Sequence, residues 1–259
     1  MIFGICNLSV VPVRMEPSDK AVIGSQLLFG DSFTIESKSP DQKWVYIEIA
    51  FDRYRGWIDF KQYKEVSREY FEELNSLPNP FCKDLIGLVK NQRRFIPILM
   101  GSVVPFYHNG IIDLGNDRSE FQGDLHYARH TKDYTNIEKI AKQYLGAPYL
   151  WGGKCHFGID CSGFVQQVYK MCGYKLPRDS WNQAECGVNV NFDHHSPGDL
   201  AYFSDPHGKV VHVGIILNYS QIIHASGEVR IDRLDENGIF NEDRGVYSHK
   251  LHSVKRMLE

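Results

Sequence analysis

The stretch GIDCSGF, Gly158 to Phe164, sets an acidic residue, a cysteine and a Ser-Gly pair where an apolar periodic segment begins. In CSGFVQQVYKMCG, residues 161–173, Cys161, Phe164, Val165, Val168 and Cys172 recur at helical spacing, and Gly173 closes the run. Cys161 is therefore expected in the first turn of a helix. Unpaired backbone N–H groups and the helix dipole favour negative charge there. A thiol in that position is expected to have its thiolate favoured, and the thiolate is the nucleophile. The same position also suits a buried cysteine packing as a small hydrophobe. DCSG alone does not choose between the two. Gly152, Gly153, Gly158 and Gly163 permit tight turns around it.

On either side of this segment the periodicity defines one α+β region from about Thr135 onward. TNIEKIAKQYLG reads as an amphipathic helix, with Thr135 as its cap and Gly146 as its end. After the cysteine helix come three strand-like runs, DLAYF, VHVGIIL and QIIHAS, with VRIDRL as a fourth candidate. Helices followed by strands make an α+β domain. Two of the strands carry histidines, His212 and His224, twelve residues apart. That spacing suits adjacent antiparallel strands joined at NYSQ, in which one ring neighbours the other and orients its tautomer. Nucleophile, base and orienter is the logic of a triad. A lone histidine in a strand is ordinarily a core or surface residue; two downstream of a helix-start cysteine are a stronger signal. His194, His195 and His207 lie in polar, loop-like text and are expected to face solvent.

The first sixty residues read as small β structure. In WVYIEIA, Trp44 to Ala50, Val45, Ile47 and Ile49 point one way and Tyr46 and Glu48 the other; YRGWI returns after a turn at Asp52 and Arg53. SQLLFGDSFTIES, Ser25 to Ser37, supplies a second strand pair around Gly30 and Asp31. From Lys64 to Leu77, the stripe Val66, Tyr70, Phe71, Leu74 and Leu77 predicts a helix packed between domains, which Pro78 and Pro80 stop. A second β-rich segment, about 94–123, contains HNG, a good hairpin turn. The expected organisation is a barrel at 1–62, a helical linker at 63–80, a second barrel at 81–130 and a catalytic domain at 131–259.

Bulk properties exclude several classes. Lys and Arg number 29 against 32 Asp and Glu, a net charge of −3 with no dense basic block, so nothing draws the chain to nucleic acid. The longest apolar stretch, FIPILMGSVVPFY, is too short to span a membrane and is broken by Pro97 and Pro105. The N-terminus lacks the basic start and apolar core of a leader, so a cytoplasmic location is expected unless a leader has already been removed. Six cysteines spread over a chain that is 42% hydrophobic are not needed as disulfides, and no C-x-x-C pair suggests a metal.

PYLWGGKCHFGIDCSGFVQQVY, LPRDSWNQ, PGDLAYF, HVGIIL and IIHAS, in this order, closely resemble the NlpC/P60 family of cell-wall cysteine peptidases. The resemblance covers the last ~125 residues. QLLFGD and YRGWI resemble bacterial SH3-type barrels, and the whole is similar to the dipeptidyl-peptidase VI branch, which cuts γ-D-glutamyl–L-lysine or γ-D-glutamyl–diaminopimelate bonds in muropeptides with a free N-terminal L-Ala. The resemblance implies a papain-like catalytic domain preceded by two small SH3-like β-barrels. It implies Cys161 as nucleophile, His212 as base and His224 as the third polar residue, with the Tyr149 hydroxyl near the oxyanion. Asp160, Ser162 and Ser180 match positions that contact the D-Glu and L-Ala portions, and Tyr54 matches a residue lining the L-Ala pocket. The branch has a glutamate that pairs with the substrate amine; the position here holds Val22, so Asp19 or Asp31 is the candidate replacement. The implied partner is a murein peptide bound by a monomer, with no cofactor and no metal. A wall-binding protein with an auxiliary or broader-specificity amidase domain is the alternative.

Overall fold

The computed structural model describes residues 1–128 and 134–257. Its chain divides into two compact units, Met1–Ala128 with Trp151–His156, and Arg129–Leu150 with Phe157–Glu259. The expected domain boundary at 130/131 falls outside the described residues.

In the first unit, seven strands form an antiparallel sheet: Ile2–Ile5, Val10–Arg14, Ile23–Leu28, Ser32–Lys38, Trp44–Ile49, Arg55–Asp59 and Lys64–Val66. The alternation in Trp44–Ile49 is realised, with Val45, Ile47 and Ile49 fully buried and Tyr46 and Glu48 half-buried. Asp52 accepts the Tyr54 N–H at 3.0 Å and Arg53 takes φ +63°, which turns the chain back into Arg55–Asp59. A second sheet of four strands follows, running Phe95–Leu99, Ile86–Lys90, Arg118–Gln122, Ile111–Asp113. HNG turns as expected: His108 and Ile111 exchange backbone hydrogen bonds while Asn109 and Gly110 take positive φ. Strand Ile86–Lys90 lies outside the β-rich segment expected at 94–123.

The predicted helix is shorter than its stripe. Lys64–Val66 pairs with Ile2–Ile5 as an edge strand, because sheet pairing offers these backbone groups partners a helix end would leave open. The helix is Arg68–Ser76, capped by Ser67, whose side chain accepts the Tyr70 N–H at 3.2 Å. Leu74 is buried in one core with Ile5 of the first sheet, Phe29 in the turn after Ile23–Leu28, and Val89, Ile96, Ile98, Ile112 and Phe121 of the second sheet. Leu77, read as part of the stripe, is 49% exposed.

The second unit pairs helices with a closed sheet. Strands run Val188–Val190, Val246–Arg256, Leu200–Ser204, Val210–Asn218, Gln221–Ser226, Glu228–Asp235, Gly238–Asn241, and the last also pairs with Val246–Arg256, closing a barrel. VRIDRL is thus a true strand, and two further strands lie beyond it. The first helix is Tyr134–Lys142, so Thr135 sits inside it and is not its cap. The helix Cys161–Met171 is buried on all sides, Gln166, Gln167 and Lys170 included, where the stripe predicted only one buried face. It packs on Val210–Asn218, Gln221–Ser226 and Tyr134–Lys142. No helix among the described residues is long and apolar enough to cross a membrane.

Candidate active site

Asp160 caps the helix of Cys161, its Oδ1 accepting the Gly163 N–H at 2.7 Å, so the cysteine occupies the first helical position. Cys161 is 6% exposed, and the backbone amides of Val213 and Ser162 lie close enough to its sulfur to favour the thiolate. This puts the thiol beside the strand that carries His212. Burial, with the Asp160 carboxylate adding to it, pushes the Cys161 thiol up to about 12, against the pull of the two amides and Arg178. The helix start was expected to favour the thiolate; enclosure and a neighbouring carboxylate outweigh it. The sulfur rests as a neutral thiol.

His212 and His224 lie on adjacent antiparallel strands, as their spacing predicted. Gly214, not His212, is directly opposite His224. A Cβ on Gly214 would stand 2.9 Å from the His224 Cβ, so the missing side chain leaves His224 room to reach diagonally to His212. His212 Nε2 and His224 Nδ1 are 2.9 Å apart, with the rings nearly perpendicular at 86°. Both are buried, at 5% and 1%. Burial, with His224 and His249 beside it, holds the His212 imidazole well below its ordinary range. The resting pair is therefore neutral thiol and neutral imidazole.

Four neighbours were not read from the sequence. Asp232, inside VRIDRL, accepts from His224 Nε2 at 2.9 Å; Arg230 donates to its other oxygen at 2.8 Å and to Asp243 at 2.7 Å. Alternation places Asp232 on the face of Arg230, which pairs with His224, but the register had to be known first. Arg178 is 2% exposed and donates to both oxygens of Asp160, at 3.0 and 2.6 Å, and to Ser162 Oγ at 2.9 Å. His249, on the barrel-closing strand, stacks on His212 with centroids 4.1 Å apart and planes at 22°. The histidines expected at the surface divide: His194 and His207 are exposed, whereas His195 is buried and bonds through Nδ1 to the Phe192 carbonyl.

His212, His224 and His249 bring ring nitrogens within 4.8 Å of one another. An imidazole binds a metal through a lone pair in its own plane. Two rings stacked in near-parallel planes cannot both aim a lone pair at one ion, so this arrangement does not suit a metal. None of the six cysteines is joined in a disulfide.

Of the remaining expected residues, Tyr149 is held by its N–H to the Gly227 carbonyl and by a bridge to Ile159, just before the cysteine helix. Burial and the nearby Cys161 and Asp160 raise its hydroxyl above the ordinary tyrosine range, so it stays a donor. Ser180 is buried at the start of the helix Ser180–Gln183, and Gln183 Nε2 donates to the Ser162 carbonyl at 3.0 Å. Tyr54 belongs to the first unit, where its hydroxyl lies 3.5 Å from Met15 Sδ and over Gly24, whose missing side chain makes the space. Asp31 is 4% exposed and accepts the Leu28 N–H at 2.9 Å. Val22 and Asp19 are exposed.

His249 carries a pH consequence. Burial, with His224 adding to it and Asp232 opposing, holds His249 down to about 4. An unfolded histidine titrates near ~6.5, so between about 6.5 and 4 the unfolded chain binds a proton that the folded chain refuses. This stability is complete above ~6.5 and is lost as the pH falls towards 4. The urea midpoint is expected to drop more between pH 7.5 and 4.5 in the parent than in His249→Phe, which keeps the stack. Equal drops would show that His249 is not held neutral.

Comparison with known proteins agrees with this architecture. Residues 146–247 match the model of the NlpC/P60 family, and residues 13–62 match the bacterial dipeptidyl-peptidase Sh3 domain. The chain is similar to the gamma-D-glutamyl-L-lysine dipeptidyl-peptidase of Bacillus subtilis, 28% identical over 79% of this chain and 72% of that protein. It is also similar to dipeptidyl-peptidase 6 of Lysinibacillus sphaericus, 27% identical over 85% and 88% of the two chains. In fold it matches the crystal structure of an NlpC/P60 family protein from Bacillus cereus, TM-score 0.84 at 20% identity, covering 99% of this chain and 100% of the other. The buried cysteine at a helix start, the paired histidine strands and the β-rich N-terminal unit thus belong to a chain that carries an NlpC/P60 domain together with a bacterial dipeptidyl-peptidase SH3 domain.

Proposed function

We propose that this chain is a cysteine peptidase hydrolysing the γ-D-glutamyl–L-diamino acid bond of murein peptides. The observation that carries the chemistry is the buried helix start of Cys161, packed against the strand of His212, whose Nε2 is engaged by His224. The name of the Bacillus subtilis relative carries the substrate class. With Nε2 occupied, Nδ1 is the nitrogen left to receive the thiol proton. As sulfur attacks the γ-carbonyl carbon of D-Glu, its proton passes to His212, and the Cys161 N–H and the Tyr149 hydroxyl receive the developing oxyanion. The imidazolium protonates the departing amine, and His212 then activates water against the thioester. Ser162, Ser180 and Asp160 are proposed to hold the D-Glu and L-Ala portions, and Tyr54 to read L-Ala. The functional division proposed is a first barrel at 1–62, a linker at 63–80, a second barrel at 81–130 and the catalytic domain at 131–259.

The test is product identification on L-Ala–γ-D-Glu–L-Lys and its diaminopimelate counterpart. Release of L-Ala–γ-D-Glu and the free diamino acid is expected. Asp19 or Asp31 is the proposed carboxylate for the substrate amine. A charge-assisted hydrogen bond is worth about 1.5–3 kcal/mol, so N-acetylating the L-Ala should lower kcat/KM roughly 10- to 150-fold. Replacing the responsible aspartate, by Asp19→Ala or Asp31→Ala, should remove that difference. Tripeptides left intact would reject the peptidase, and full tolerance of acetylation would mark a broader γ-glutamyl endopeptidase.

A further inference from the structure

The hydrogen-bond chain behind His212 fixes where its proton sits. Asp232 is buried at 6% exposure, and its Oδ1 is already held by Arg230 at 2.8 Å. A carboxylate only accepts, so the 2.9 Å contact from His224 Nε2 to Asp232 Oδ2 requires the hydrogen to be on His224 Nε2. Arg230 divides its guanidinium between Asp232 and Asp243, and a cation at His224, 1% exposed, would carry the desolvation cost of a further buried charge. In its neutral form His224 has a bare Nδ1. The 2.9 Å contact between His224 Nδ1 and His212 Nε2 therefore takes its hydrogen from His212. A neutral His212 protonated on Nε2 has a bare Nδ1, the nitrogen assigned above to the thiol proton. Were His224 reversed, His212 would carry its hydrogen on Nδ1 and could not accept that proton.

We propose that Asp232 is a positioning residue which, through His224, locks His212 in the tautomer whose Nδ1 is free to accept a proton. The proposal rests on the reading of Cys161 and His212 as nucleophile and base for its kinetic arm alone; the tautomer itself is a property of the resting protein. Arg230 belongs to the device, because it holds the Oδ1 end of the side chain in place.

Asp232→Asn makes a sharp test. Arg230 donates and therefore keeps the amide oxygen, which turns the Asn NH₂ towards His224 Nε2. His224 must then offer a lone pair at Nε2 and carry its hydrogen on Nδ1, which moves the His212 hydrogen to Nδ1. In protein labelled with ¹⁵N-histidine at pH 7.5, the parent is expected to show His212 protonated on Nε2 and Asp232→Asn to show it protonated on Nδ1. On L-Ala–γ-D-Glu–L-Lys the variant should lose about 10²–10⁴-fold in kcat, the share that general acid–base catalysis supplies, with KM little changed. A parent spectrum with His212 protonated on Nδ1, or with His224 doubly protonated, overturns the proposal even if the variant fails to fold. So does a folded variant whose His212 tautomer is unchanged, whatever its rate. If the tautomers behave as stated while the parent cleaves no tripeptide, the peptidase reading fails and the assignment of Asp232 stands.

Discussion

Replacing Cys161 with alanine is expected to leave a folded protein and to lower turnover of L-Ala–γ-D-Glu–L-Lys by about 10⁵–10⁶-fold. The substitution removes one buried sulfur and keeps the helix start, the Asp160 cap and the Arg178 pair, so the stability change should be about 1 kcal/mol. The kinetic loss is large because the thiol, pushed up to about 12 by burial and Asp160, and His212, held low by burial and its histidine neighbours, both rest neutral. Neither is a preformed ion. The proton must leave sulfur for the ring as the new bond forms, and that step needs both partners. His212→Ala should therefore lose nearly as much, and the double variant no more than either single one, since residues acting as one unit are not additive. Turnover close to the parent in Cys161→Ala, or a parent indifferent to iodoacetamide, would end the thiol-peptidase reading.

The largest stability effect is expected at Arg178. Its guanidinium forks onto both oxygens of Asp160 and reaches Ser162, with the Arg178 and Asp160 side chains 1% and 8% exposed. Arg178→Ala leaves a carboxylate buried without its cation, which costs about 3–5 kcal/mol. Against a total stability of roughly 5–15 kcal/mol that is a large fraction. The cost is charge burial, not lost attraction, so making Asp160 neutral should recover part of it. Arg178→Ala with Asp160→Asn is expected to be more stable than Arg178→Ala alone. Urea unfolding of the three proteins gives the comparison. A single variant within ~1 kcal/mol of the parent would mean that water reaches Asp160 and the pair is not enclosed as described.

Local rules were enough for the parts of this molecule whose cause is local. The cysteine's place at a helix start follows from 3.6-residue periodicity and the Asp160 cap, and both are written in neighbouring residues. The two histidine strands follow from alternation, and their spacing across a short turn puts His212 and His224 on one face. The barrel strands around Val45, Ile47 and Ile49, and the HNG hairpin, are legible for the same reason. Where a backbone or side chain finds its partner far along the chain, local reading fails. Lys64–Val66 looks helical by its stripe and becomes a strand because Ile2–Ile5 offers an open edge. Arg178 reaches Asp160 across eighteen residues, His249 arrives on a strand that closes the barrel, and Asp232 meets His224 only once the register is set. The protonation of the site was decided last of all. A helix start favours a thiolate, but the balance depends on how much water the finished fold admits and which charges it encloses, and burial beside Asp160 reverses it.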